Sequence, residues 1–144
     1  MKEYITNSYE ETLELGRSLA KALPKGTVIA FIGGLGMGKT AFTAGLAQGL
    51  GISACVSSPT FAICNTYIGD ENTLHHFDMY RIDGWDDLYS TGYFDYVNTD
   101  AYIAVEWSEN IYAALEDDAV IVEIEKISDS SRRFKIYKKS EDNK

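Results

Sequence analysis

Cysteine, proline, basic charge and long apolar runs are all scarce in this sequence. Two cysteines, Cys55 and Cys64, occur in 144 residues, with no C-x-x-C pair and no histidine at ligand spacing. That argues against a disulfide framework and a zinc site, and predicts two free buried thiols in a reducing compartment. Two prolines and a hydrophobic content of 45% exclude a disordered chain. Only 13 Lys and Arg stand against 22 Asp and Glu, a net charge of −9. A broad basic surface for bare nucleic acid is therefore disfavoured, because phosphate contacts need clustered cations. Any role near nucleic acid would run through a protein partner. No apolar run approaches the ~18 residues of a membrane span, and the opening MKEYITNSYEETLELG has no apolar signal core. Together these absences predict a cytoplasmic protein with one domain over residues 1–144, frayed from about residue 139.

What is present alternates between helical and strand patterns. NSYEETLELGRSLAKAL reads as a helix, capped by Ser8 with Glu11 completing a capping box, and with Tyr9, Leu13, Gly16, Ala20 and Leu23 on one stripe. Pro24 to Gly26 breaks it. Thr27–Ile32, TVIAFI, is nearly all apolar and predicts a central parallel strand buried on both faces. KTAFTAGLAQGL resumes a helix through Phe42, Leu46 and Leu50, ended by Gly51. FAICNTYI and TLHHFDMY read as strands joined by the turn GDEN. WDDLYSTGYFDYV reads as a short helix and then a loop, AYIAVEW as a second buried strand, and ENIYAALE as a short helix. AVIVEIEKI and RRFKIYKK alternate as an antiparallel hairpin expected at a sheet edge.

Between the first buried strand and the second helix lies Gly33-Gly34-Leu35-Gly36-Met37-Gly38-Lys39-Thr40. It matches G-x-x-x-x-G-K-[ST] in full, in the strand-to-helix setting that pattern requires. Glycines let successive backbone N–H groups point into one concave nest. The helix start at Lys39, with Ala41 in its first turn, adds unpaired N–H groups and a positive dipole end. Lys39 carries a point charge toward β and γ phosphates, and Thr40 offers a hydroxyl to Mg²⁺. The four fixed identities would arise by chance on the order of once in a few hundred chains of this length. Nucleotide binding is the expectation.

Hydrolysis also needs a carboxylate near the metal and a means of placing water. Glu106 follows five mostly apolar residues, where an unpartnered charge would be costly. Asp78 follows TLHHF and is equally readable as a turn or cap residue. Both stand at strand ends, where open parallel sheets bind ligands. Ser57–Phe61, SSPTF, is a candidate mobile loop bringing Thr60 to the γ phosphate or Mg²⁺, although spacing alone favours an ordinary Ser/Pro turn. His75 and His76 point to opposite faces of a strand and cannot share one metal; packing or surface roles are expected. Trp107 and the tyrosines from Tyr89 to Tyr102 read first as packing.

In this order and spacing, the phosphate loop, SSPTF, HHFDMYRI and IAVEW resemble the TsaE (YjeE) family, small bacterial ATPases required for threonylcarbamoyladenosine at position 37 of tRNA. The resemblance runs from the first helix to the last hairpin. It implies an α/β P-loop NTPase fold of three layers, with a mostly parallel central sheet and added antiparallel strands. It also implies ATP and Mg²⁺ as cofactors and a complex with TsaD and TsaB that meets tRNA indirectly. Carried over by position, Lys39, Asp78, Glu106 and Thr60 are catalytic. Thr40 and Glu106 hold the metal. Thr12 and either Arg132 or Arg133 meet the nucleotide along with the loop residues. Two positions depart from the family: Gly34 and Tyr89 each stand where an acidic residue is common.

The reading is thus an ATPase driving a tRNA-modifying complex, slow alone. The only arginine between Thr40 and the hairpin is Arg81, so a partner is expected to supply a transition-state cation. The alternatives are a small-molecule P-loop kinase, which lacks the expected arginine-rich lid, and an assembly subunit without essential hydrolysis. A GTP switch ranks below these because N-K-x-D is absent.

Overall fold

A computed structural model describes residues 1–33, 38–53 and 64–142. The expectations for Gly34, Leu35, Gly36, Met37, Cys55, SSPTF with Thr60, and the first residues of FAICNTYI lie outside the described residues. The elements are β1 Lys2–Thr6, α1 Tyr9–Ala22, β2 Val28–Ile32, α2 Lys39–Gly49, β3 Cys64–Ile68, β4 Thr73–Asp78, α3 Trp85–Ser90, α4 Tyr93–Tyr96 and β5 Tyr102–Glu106. A 3-10 segment, Ser108–Ala114, precedes β6 Val120–Lys126 and β7 Arg132–Lys138.

One seven-stranded sheet runs β1-β7-β6-β2-β5-β4-β3. Its middle, β6-β2-β5-β4, is parallel. Both flanks are antiparallel. β2 is buried as its apolar run predicts. Ile29 and Phe31 face α1 and α2, packing with Phe42, Leu46, Val122 and Phe134. Val28 and Ala30 face the other layer, packing with Phe77, Tyr93, Ile103, Val105 and Ile121. Phe42 sits between Phe31, edge-on at 5.6 Å, and Phe134, stacked at 5.5 Å.

Ser8 caps α1 through Oγ, which accepts from the Glu11 N–H at 3.1 Å. The return arm lands one residue early: the Asn7 N–H donates to Glu11 Oε1 at 2.8 Å. Tyr9, expected on the buried stripe, is 62% exposed. Thr12 is buried instead, its hydroxyl 2.8 Å from that of Thr6. The helices α1 and α2 cross with almost no gap. A Cβ on Gly45 would overlap the Leu13 carbonyl oxygen, and one on Gly16 would lie 3.0 Å from the Leu46 nitrogen.

Three elements differ from the sequence reading. The strand β1 is new, and it moves the hairpin inward: β6 lies against β2 and β1 covers β7. α4 replaces the expected loop because Tyr93, wholly buried, anchors it edge-on to Phe77 at 5.8 Å. Residues 139–142 carry a 3-10 turn tied down by Tyr112 Oη donating to Asp142 at 2.7 Å and the Ser140 N–H donating to the Asp117 carbonyl at 3.0 Å. Cys64 is half-buried and free, with its thiol pKa raised by burial. No described helix is long and apolar enough to cross a membrane.

Candidate functional site

The carboxyl ends of β2, β5 and β4 lie side by side, the place where parallel sheets present ligands. β2 leads into Gly33, whose φ of +151° is open to glycine and few other residues. α2 starts after Gly38, at φ +93°, which brings no capping side chain. No acidic residue occupies the first turn. The N-terminal end of α2 thus keeps its positive dipole end uncompensated by acidic side chains from its own first turn, the condition that favours an anion.

Lys39 is only 4% exposed. Its Nζ donates to the Gly33 carbonyl at 3.1 Å and sits 4.9 Å from the centroid of the Trp107 ring. A buried ammonium is costly without such partners. Trp107 reaches that position through a left-handed backbone (φ 58°, ψ 40°), uncommon for a bulky residue. Two tethers hold the turn after it. Ser108 Oγ donates to the Phe31 carbonyl at 2.6 Å, and Asn110 Nδ2 donates to the Met79 carbonyl at 2.8 Å. The Tyr80 ring packs tilted against the indole, with centroids 4.9 Å apart.

Glu106, at the end of β5, is 5% exposed. Its Oε2 is hydrogen-bonded to His76 Nε2 at 2.6 Å. Asp78 pairs in register with Glu106, so the two carboxylates project from the same face, as does His76 two residues before Asp78. Asp78 Oδ1 accepts the Tyr80 N–H at 2.9 Å, the cap contact that its position also allowed. Thr40 is exposed in the first turn of α2, followed by buried Ala41. Hydroxyl and carboxylate oxygens are the hard donors that suit Mg²⁺. Among the described residues no cluster of three or more His, Cys, Asp and Glu forms a metal cage. Such a cage is not required of an ion that takes most of its ligands from phosphates and water.

The two arginines separate by strand alternation. Arg132 lies on the α2 side, its Cγ 4.0 Å from where a Cβ on Gly38 would be. Its Nη1 donates to the carbonyls of Ser128, Asp129 and Ser131, while its buried Nε has no partner among the described residues. Arg133 faces the other side, ion-paired with Glu125 and 3.9 Å from Glu3. Thr12 makes its contact with Thr6, whose register partner is Arg132. No described contact joins Thr12 to the loop.

Two residues near the site were not singled out as functional by sequence. His76 is wholly buried and bonded to Glu106 rather than being a packing or surface residue. The signal for it was its i, i+2 spacing from Asp78. Glu109 brings Oε2 to 3.4 Å from the Gly33 N–H, a contact that nothing in its local sequence announces. His75, on the opposite face, is also buried, stacked on Tyr96 at 3.8 Å, and its pKa is lowered by burial. A groove of about 460 Å³ between β1 and α1 includes none of Lys39, Asp78 and Glu106. It is an apolar crevice away from this chemistry.

A buried parallel strand leading into Gly33, a helix that starts after Gly38 and is headed by a buried lysine, and acidic residues at the neighbouring strand ends define an α/β protein of the P-loop class. The model of the family described as Threonylcarbamoyl adenosine biosynthesis protein TsaE matches residues 6–134. The chain is 35% identical over 141 residues to an Aquifex aeolicus protein named tRNA threonylcarbamoyladenosine biosynthesis protein TsaE, covering 96% of this chain and 98% of that one. It is 40% identical over 115 residues to the Streptomyces coelicolor protein of that name, covering 78% of each. The crystal structure of Bacillus subtilis YdiB superposes with a TM-score of 0.72 at 30% identity, covering 92% of this chain and 82% of that one. The chain belongs to the TsaE family.

Proposed function

We propose that this chain is a Mg²⁺-dependent ATPase that acts with TsaD and TsaB in forming the threonylcarbamoyl group on adenosine 37 of tRNA. The observation that carries this is the buried Lys39 ammonium at the head of α2, folded onto the Gly33 carbonyl and over the Trp107 ring that follows the buried Glu106. Bound Mg²⁺ would supply charge neutralisation across the phosphates. Thr40 and Glu106 are the residues that would hold it, directly or through water.

Lys39 exchanges its carbonyl partner for the β and γ phosphate oxygens of ATP, alongside the amides of residues 33–41. Trp107 keeps water from the inner side of the ammonium. Asp78, held by the Tyr80 amide, and Thr60 orient the attacking water or sense the γ phosphate. Arg132, on the α2 side next to Gly38, is the cation that meets the nucleotide, whereas Arg133 is engaged with Glu125. The products are ADP and free phosphate. With Arg81 the only arginine between Thr40 and the hairpin, the isolated chain turns over slowly and a partner completes the charge stabilisation.

The test is phosphate release by the chain alone and with TsaD and TsaB, for wild type and E106A. Slow release that rises with partners, and E106A that binds nucleotide without releasing phosphate, is the expected pattern. No response to partners, or a phosphorylated metabolite in place of free phosphate, would overturn it.

A further inference from the structure

Near the candidate site, His76 is a buried polar side chain to which the proposed chemistry assigns no part. Its ring is wholly shielded from solvent and its Nε2 is 2.6 Å from Glu106 Oε2. Nδ1 has no partner among the described residues. A buried imidazole held by a single bond gains nothing from packing that an apolar side chain would not supply, and it leaves one ring nitrogen unsatisfied. The arrangement makes sense if the bond to the carboxylate is what the position is for.

We propose that His76 is a positioning residue that fixes the plane of the Glu106 carboxylate for its contact with Mg²⁺, direct or through a bound water. An ionised carboxylate has no hydrogen to give, so with Glu106 ionised for Mg²⁺ Nε2–H donates and Oε2 accepts, which restrains rotation of the carboxylate. The strand geometry supports the assignment. His76 and Asp78 lie on one face of β4, and Asp78 is in register with Glu106, so the imidazole approaches from the neighbouring strand and not from solvent. Outer partners of this kind typically alter metal affinity or activity about 10- to 100-fold. The inference rests on the Mg²⁺-nucleotide reading above.

The test is calorimetric titration of ADP at graded free Mg²⁺, with EDTA as the metal-free baseline. Gln places its side-chain amide where Nε2 stands, whereas Asn is too short to reach Glu106. H76Q should need the wild-type Mg²⁺ concentration to tighten ADP binding. H76N should need about 10-fold more, with metal-free ADP affinity unchanged in both. H76N matching wild type, H76Q shifting as far as H76N, or metal-free affinity falling in parallel would each overturn the proposal. Should H76N fail to melt cooperatively, imidazole ¹⁵N spectra of the wild type decide. The chain has two histidines, and H75Q assigns them. The His76 Nε2 resonance should move with Mg-ADP and not with ADP plus EDTA; no difference between the two overturns the proposal. If the wild type binds no ADP at any Mg²⁺ concentration, the nucleotide reading itself fails. If it binds and H76N is indistinguishable from it, only the role of His76 fails.

Discussion

Replacing Gly45 by alanine sets two effects against each other, and the structure decides between them. Within a helix the change should favour folding by roughly 0.5–1 kcal/mol, because glycine loses more backbone entropy. The new methyl, however, would overlap the Leu13 carbonyl oxygen and lie 3.0 and 3.1 Å from the Leu13 carbonyl carbon and Cα. All three are backbone atoms, so no rotamer can yield and α1 must retreat by about 1 Å to reach ordinary contact distance. Inserting one methylene into a packed core costs about 1–3 kcal/mol, and a rigid obstacle puts this case at the upper end. The net loss is about 2 kcal/mol. With a urea dependence of about 2 kcal/mol per molar, the midpoint should fall by about 1 M. G84A is the control, since a Cβ there meets nothing within 4 Å, and it should stay within about 0.5 kcal/mol of wild type. Because α2 begins at Lys39, G45A should also weaken nucleotide binding while G84A does not. A G45A protein as stable as wild type would refute the close crossing of α1 and α2.

R132A should weaken Mg-ATP binding about 10-fold, roughly the value of a hydrogen bond to a charged group, whereas R133A should stay within about 2-fold, because it loses only exposed ion pairs with Glu125 and Glu3. Equal losses in calorimetry would undo the choice of face. Burial holds His75 below its usual 6.5, so the unfolded chain binds more protons just under that value and stability falls as pH drops through that window. Urea midpoints measured at about pH 7.5 and about pH 5.5 should drop more for wild type than for H75Q, and parallel drops would contradict the burial.

The parallel centre was legible because β2 and β5 are runs of five residues almost wholly apolar. β1 was not legible. Four of its five residues are exposed, so no alternation marks it, and it is held by cross-strand partners more than 120 residues away, such as Tyr4 to Phe134. Missing it also misplaced the hairpin at the edge. The sequence left Arg132 and Arg133 as alternatives, because which of two adjacent strand positions faces α2 depends on the register of β7 against β6. Glu106 was marked by its charge after an apolar strand. Its partner His76 was not, because the i, i+2 spacing from Asp78 gives the shared face of β4 but not that Glu106 of β5 comes within reach.

The claim beneath all of this is that main-chain amides and the Lys39 ammonium grip a nucleoside triphosphate. Calorimetry of Mg-ATP on the intact chain and on K39A, both shown to melt at similar temperatures, measures it. Wild type should bind saturably and K39A at least about 100-fold more weakly, since a buried charge-assisted contact is worth about 3 kcal/mol. No heat of association with the wild type, or equal affinity for the two proteins, would contradict it.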